Sequence, residues 1–509
     1  MRQKTIKNKT RMKISLSIYY SNIMIIRFLI VIALLLEFNY FRWRLFFLFE
    51  NFSILGLVYS ICEIIVMLLG SLNTYFISWN CNKSLPYPKL IQDYPYIEIF
   101  VPCCREPLYI IKNTVECILQ ITYPSDKLQI TITDDGESEE LENYIISVQE
   151  ENLLTNIKYK NRKVIKGHSK AGNINDTLYS SECTQAHSLI LILDCDMQCS
   201  SDILTELVPY FYMDHNVFDE NLAFVQSPQS FSNIERFDLL GQHYKYFYQI
   251  IMKSWAWWGC VPCCGTNVLF SRKVLEEIGG FQYGSVTEDF LTSMYLHSKG
   301  YKSKYCDKTL ACGLAPFTLD DFYKQRFRWA LGGIQLFSYI QKVCGKLTLV
   351  QYWIYFNSAV FTMCTPFLMF LIISIELASF VQNQTFGNIY YSYYFGSYIC
   401  VHFLILLFLF YPISYLYLIR SFQESVYMLN CNFIVFLYVI FNLPYSFKIT
   451  PKDKNNKMIS NLIWCSPYIA YYIFAIYACI FKKMTIPGYI WLAVICLQML
   501  PPIEYVIFK

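Results

Sequence analysis

Long apolar runs at both ends of the chain set the strongest limit on how it can fold. A helix needs about 20 residues to cross about 30 Å of hydrocarbon. Runs of about that length occur near 21–37 and 53–79, then near 352–379, 396–420, 461–482 and 487–507. Between them lies a polar middle, about 85–345, that a bilayer interior would reject. Six crossings put both ends and this middle on one face of a membrane. Composition agrees: 55% of the 509 residues are hydrophobic and only 16% are charged, too few to clothe a soluble surface. A chain of this length still has room for a catalytic domain of ordinary size.

Charge sets the orientation. Arg2, Lys4, Lys7, Lys9, Arg11 and Lys13 precede the first apolar run, and positive charge favours the cytosolic side. The expected order is a basic cytosolic N-terminus (1–20), two membrane helices (21–79), a cytosolic domain (80–345), two helices (346–420), an interfacial helix and loop (421–460) and two final helices (461–509). A cleaved signal peptide competes for the N-terminal end, but no small-residue cleavage site follows and a second apolar run does. With a net charge of only +4, the basic start reads as topology and no nucleic-acid partner is expected. Two features disagree about the far side. The glycosylation triplet Asn383-Gln384-Thr385 falls there, as it should, whereas Lys482 and Lys483 fall there against the positive-inside tendency. The aromatic run 422–446 ends near Pro444 and is interrupted by Gln423, Glu424, Asn430 and Asn432. It is read as a helix lying in the interface, with a seventh crossing as the alternative.

The 20 cysteines include the adjacent pairs Cys103-Cys104 and Cys263-Cys264, which cannot easily bridge within a pair. Most lie in the expected cytosolic domain and read as reduced packing residues. Cys195 and Cys199 lack a second pair at zinc spacing.

The middle alternates short β-rich runs with helical stretches, the pattern of an open, mainly parallel α/β sheet. Candidate strands are Ile97 to Val101, Leu128 to Thr133, Leu189 to Leu193 and Leu222 to Gln226. Two of them run into acids, Asp134-Asp135-Gly136 and Asp194-Cys195-Asp196. Ligands of open α/β sheets bind beyond the carboxyl ends of the strands. Carboxylates gathered there need a cation, and alternate residues let Asp194 and Asp196 approach one Mg²⁺ or Mn²⁺ that keeps sites free for phosphate oxygens. Taken singly, each acid has a plainer reading, Asp-Gly being a common turn. Thr287-Glu288-Asp289 opens a helical run and suits a helix N-terminus in any protein. Gln325-Arg326-Phe327-Arg328-Trp329 joins two cations for a departing diphosphate to a flat face for a sugar ring, or else marks an interfacial helix with snorkelling arginines.

Taken in order, the set resembles the family 2 glycosyltransferases, and within them the cellulose synthases and related polymerising enzymes. The matching motifs are Asp-Asp-Gly, Lys-Ala-Gly-Asn, Asp-x-Asp, Thr-Glu-Asp and Gln-x-x-Arg-Trp, covering most of 95–345. The resemblance implies an α/β GT-A-type domain inserted in an α-helical polytopic membrane protein. It implies that Asp135 contacts uracil, that Asp134 lines the same site, and that Lys170 meets the diphosphate. Asp194 and Asp196 would serve donor and metal, and Asp289, in the motif with Thr287 and Glu288, would be the general base. Gln325, Arg328 and Trp329 would hold the diphosphate and stack the acceptor end, beside a Cys264-Gly265-Thr266 acceptor element. Phe447, Thr450 and Lys452 match the cellulose synthase gating loop.

The function so implied is processive, inverting transfer from a UDP-sugar, UDP-glucose first, to a cellulose-like β-glucan that crosses the membrane. Mannan, chitin, hyaluronan or another glucan, and a single transfer to a lipid carrier, are the alternatives. The expected partners are the UDP-sugar, the polysaccharide acceptor and the bilayer of the plasma membrane, with room for a homo-oligomer or synthase complex. Some positions depart from the family. Cys104 stands where the family's Pro-Thr-Tyr-x-Glu has Tyr, and Pro262-Cys263 stands where it has two phenylalanines. Neither a cyclic-dinucleotide module nor the plant zinc-binding region is expected.

Overall fold

A computed structural model describes residues 2–79, 93–152, 156–162, 167–181, 183, 185–213, 217–234, 238–361, 368, 371–372, 389–410, 415–445, 458–481 and 486–508. The expected gating loop with Phe447, Thr450 and Lys452 lies outside these residues. So do the triplet 383–385, Lys482, Lys483 and much of the expected crossing 352–379.

A seven-stranded sheet in the order β3-β2-β1-β4-β7-β6-β8 forms the centre of the polar middle. Its strands are β1 (Ile97–Cys103), β2 (Leu128–Asp134), β3 (Asn156–Asn161), β4 (Leu189–Ile192), β6 (Leu222–Gln226), β7 (Val268–Ser271) and β8 (Lys302–Tyr305). Only β7 runs against its neighbours β4 and β6. A separate antiparallel pair joins β5 (Gln198–Cys199) to β9 (Ala311–Cys312). All four expected strands are present, and Leu222–Gln226 keeps its expected bounds. Every residue of β1 and β4 is buried, because each strand is covered on both faces; β4 is apolar throughout, and the one charge inside β1, Glu98, is paired with Arg272. Alternation divides their side chains between two cores. Ile97, Ile99 and Val101 pack with Ile111 and Val115 of α3 (Leu108–Leu119) and with Leu141 of α4 (Glu139–Glu151). Phe100, Ile190 and Ile192 pack with Ile174 and Leu178 of α5 (Ser169–Ser180).

Strand order reverses at β1, whose neighbours are β2 on one side and β4 on the other. A crevice opens beyond the carboxyl ends of strands at such a switch point. The loops that leave β1, β2 and β4 therefore meet there, carrying Cys104 to Glu106, Asp135 and Asp194 to Asp196. Three short helices follow, α6 (Ile203–Leu207), α7 (Met252–Trp257) and α8 (Arg272–Glu277), and two more close the crevice, α9 (Glu288–Ser298) and the long amphipathic α10 (Leu319–Val343).

Four helices among the described residues are long and apolar enough to cross a membrane: Met24–Glu50, Ile54–Ile77, Ile419–Ile440 and Asn461–Phe481. The first lies within α1 (Arg2–Glu50), which continues as one helix through the expected basic N-terminus, and the second is α2. The remaining apolar helices are α11 (Leu349–Phe361), α12 (Ile389–Phe410), α13 (Tyr415–Tyr427), α14 (Leu429–Ile440), α15 (Met458–Phe481) and α16 (Ile486–Phe508). The stretch expected to lie in the interface thus forms α13 and α14, which meet at Met428 and together reach crossing length. Side chains of α10, α14, α15 and α16, among them Phe327, Val435, Cys465 and Met499, share one core. The crevice is therefore built directly on the apolar helices.

Candidate active site

β2 and β3 are paired with Asp134 opposite Asn161, so the next residues, Asp135 and Arg162, leave their strands side by side. Arg162 grips the Asp135 carboxylate with Nε to Oδ1 at 3.0 Å and Nη2 to Oδ2 at 2.7 Å, and its Nη1 donates to Gly167 O at 2.8 Å. Asp134 points the other way. It is 1% exposed, and its oxygens accept from Gly136 N (2.6 Å), Ser138 N (2.9 Å) and the Tyr159 hydroxyl (3.0 Å). Asp134 therefore shapes the turn that presents Asp135, and its carboxylate does not face the cavity.

Lys170, at the start of α5, reaches the end of β4. Its ammonium bonds the Asp194 carboxylate and, at 2.8 Å, the Gly265 carbonyl. Burial works against this charge, but Asp194, Glu288 and Asp289 outweigh it and raise the lysine above its ordinary value. The backbone N–H of Asp194 donates to Thr266 Oγ1 at 2.9 Å. Thr266 is fully buried, so it braces the acid from behind, whereas Cys264 and Gly265 line the cavity.

Thr287 precedes α9, whose first turn carries Glu288 and Asp289. Asp289 Oδ1 accepts from Phe290 N at 2.8 Å. Burial first, and then the charge of Asp289, push Glu288 up to about 7. Burial also raises Asp289, opposed by the Phe290 N–H and by Lys170. Gly265 has φ +80°, and a Cβ added there would lie 2.9 Å from Asp289 Oδ2. Bare backbone is what lets Asp289 come up to the loop that holds Lys170.

Gln325, Arg328 and Trp329 of α10 line the opposite wall. Arg326, between them, forms a half-buried ion pair with Glu424 of α13 and stands over the rings of Tyr244, Phe322 and Trp329 at 4.6, 5.2 and 4.9 Å. All these walls belong to one cavity of about 1210 Å³. It runs from Asp135, Asp194 and Asp196 past Asp289 and Trp329 to Asn73 of α2, Asn357 of α11, His402 of α12 and Tyr417 of α13. Trp255 joins its wall, while Trp258 packs on Phe76 at 6.0 Å. Arg162, Tyr244 and Glu424 are site residues that no sequence motif marks; the only signal was the run of β3 into an arginine.

Among the described residues no three His, Cys, Asp or Glu side chains are gathered to hold a metal. Asp194 and Asp196 nonetheless fit a hard cation that completes its shell with phosphate and water. Both line the cavity, and the ammonium on Asp194 already marks a place for positive charge.

A mixed sheet with carboxylates at its switch point, seated on apolar helices, defines a GT-A glycosyltransferase domain joined to helices of membrane-crossing length. The chain belongs to the family 2 glycosyltransferases and is similar to cellulose synthase. The pattern described as "Glycosyl transferase family group 2" matches residues 189–506, and "Glycosyl transferase family 2" matches 98–279. A UDP-forming cellulose synthase catalytic chain of Dictyostelium discoideum is 42% identical over 180 residues, 35% of this chain and 17% of that protein. The UDP-forming catalytic chain of cellulose synthase 1 from Komagataeibacter xylinus is 32% identical over 371 residues, 70% of this chain and 47% of that one. The chain thus spans less than half the length of either relative. Among solved structures, a mannosyltransferase from Pyrobaculum calidifontis in complex with GDP-Man and Mn²⁺ shares the fold, with TM-score 0.54 and 16% identity over 77% of this chain and 100% of that one.

Proposed function

We propose that the chain polymerises a β-glucan from UDP-glucose on the cytosolic face of the plasma membrane and passes the product between its own helices. The observation that carries this reading is the single cavity that joins the strand-end carboxylates to polar side chains on apolar helices. A membrane helix that keeps Asn73, Asn357 or His402 beside a cavity spends stability on a polar path, and in its lining Asn357 Nδ2 donates to Asn73 Oδ1 at 3.0 Å. Sugar rings have apolar faces and polar edges, so such a path, with Trp329 at its entrance, suits a glycan that slides.

In this reading the donor's base lies at Asp135 and its diphosphate between Lys170 and Arg328. Asp194 and Asp196 would hold Mg²⁺ or Mn²⁺, which supplies positive charge to the departing diphosphate. Asp289 takes the proton of the acceptor hydroxyl as that oxygen attacks the anomeric carbon from the side opposite UDP, inverting its configuration. General-base help of this kind is worth about 10²- to 10⁴-fold. Gln325 and Trp329 orient the acceptor end. Phe447, Thr450 and Lys452 are proposed to close over the nucleotide, and a second copy or further components of a synthase complex are compatible partners.

The test is to supply membranes carrying the protein with UDP-glucose, UDP-N-acetylglucosamine, UDP-glucuronate or GDP-mannose, each radiolabelled, and to digest any polymer with linkage-specific glycosidases. A product from UDP-glucose cut only by β-1,4-glucanases supports the reading. Polymer from another donor moves the chain to a different polysaccharide, and a lipid-linked monosaccharide overturns processivity.

A further inference from the structure

Beyond the residues placed above, the donor end of the cavity holds, among the described residues, one cation with no assigned task. Arg105 follows β1, lines the cavity and is exposed. Its backbone is left-handed, φ 64°, a conformation that costs any residue with a Cβ. A non-glycine residue held there marks a place where position outweighs local comfort. The cause is visible at Gly136: a Cβ added there would lie 2.6 Å from Arg105 N and 3.2 Å from Arg105 Cγ. The β1 and β2 loops touch backbone to backbone, and the arginine stem lies across the residue next to Asp135.

Among the described residues, the other planar or cationic groups at this end are engaged. Arg162 is fixed on Asp135 and Gly167. The His168 ring stacks on Tyr283, centroids 3.9 Å apart and 14° between planes. Lys170 is held by Asp194 and Gly265, and Cys104 offers no flat face. The Arg105 guanidinium makes no hydrogen bond or ion pair among the described residues.

We propose that Arg105 is a donor-binding residue whose guanidinium plane stacks on the nucleobase while Asp135 accepts a ring N–H at the base's edge. The inference rests on the nucleotide-sugar reading of the site. A planar, weakly hydrated guanidinium packs on aromatic faces as an ammonium does not. Stacking of a base on one side chain is worth about 1–2 kcal/mol, about five- to thirtyfold in affinity.

The test is calorimetric titration of the detergent-solubilised full chain with uridine, UMP and UDP. Arg105→Asn accepts the left-handed backbone and preserves the loop; Arg105→Lys keeps the charge and removes the plane. Both variants are expected to weaken all three ligands by a common factor in the stated range. The proposal is overturned if Arg105→Asn weakens UDP alone, which would place the cation on the diphosphate, if Arg105→Lys binds like the wild type, or if neither variant changes affinity. If the wild-type chain ignores uridine ligands but binds another nucleoside diphosphate, the UDP-sugar reading fails. Arg105 is then judged by the same ratios with that nucleotide.

Discussion

Arg162 and Asp135 leave adjacent strands at the same level and meet through two hydrogen bonds of 3.0 and 2.7 Å, one to each carboxylate oxygen, their side chains 8% and 10% exposed. Removing one partner of such a pair leaves a buried charge uncompensated, a loss of about 3–5 kcal/mol. Arg162→Met should therefore lower the thermal midpoint and weaken UDP binding by about tenfold or more, because Asp135 loses the fork that orients it. Arg162→Lys should restore part of the stability and little of the binding, since an ammonium cannot grip both oxygens. Thermal unfolding and calorimetry on the two variants check this, and unchanged UDP affinity in Arg162→Met would detach Asp135 from the donor.

This pairing also shows where sequence reasoning stopped. Motif order located Asp135, Lys170, Asp194, Asp289 and Trp329, and the structure brings all five to one cavity. Apolar runs located the central strands, because a strand covered on both faces carries its signal along its own length. No motif marks Arg162, because its role comes from the register of β3 on β2, a relationship between segments and not a property of either. The same holds for Asp134, read as a wall of the site: adjacent residues at a strand end face opposite ways, and only the closed turn shows which one turns inward. The reversed direction of β7 likewise leaves no mark on Val268–Ser271, since buried strands of either direction are equally apolar.

The acid pair at the head of α9 gives a pH test. Burial and the charge of Asp289 push Glu288 up to about 7, and burial raises Asp289 as well. The base works only when unprotonated and burial raises Asp289, so turnover should fall on acidification sooner than an ordinary aspartate would dictate. Glu288→Gln removes a neighbouring negative charge, so Asp289 should ionise more easily and the acid limb of kcat/KM should move to lower pH. Asp289→Asn should cut turnover about 10²- to 10⁴-fold while UDP still binds. A limb that moves upward in Glu288→Gln, or near-full turnover in Asp289→Asn, would reject Asp289 as the base.

Glu424 ties the site to the apolar helices. Its ion pair with Arg326 links α13 to α10 beneath Trp329. Glu424→Ala should leave a guanidinium among the Tyr244, Phe322 and Trp329 rings with no carboxylate to balance it. The expected result is a lower thermal midpoint and shorter polymer chains, with UDP affinity within about twofold of wild type, since the donor cluster is untouched. Sizing the product beside calorimetry checks both halves. Equal polymer length would confine the pair to a structural role.

Gly265 offers the sharpest separation between strain and chemistry. At φ +80°, Gly265→Ala must first accept a left-handed backbone, which costs about 1–2 kcal/mol. Its new methyl would then stand 2.9 Å from Asp289 Oδ2 and 3.6 Å from Lys170 Nζ, too close for the carboxylate to keep its place. Gly259 supplies the control: its φ is +63°, yet an added Cβ meets nothing within 4 Å. The two variants should lose similar thermal stability, but only Gly265→Ala should lose about 100-fold or more in turnover, the scale expected when a catalytic group is displaced by about 1 Å. Equal turnover losses would mean that backbone strain alone accounts for the effect, and that the approach of Asp289 to the Lys170 loop does not matter for catalysis.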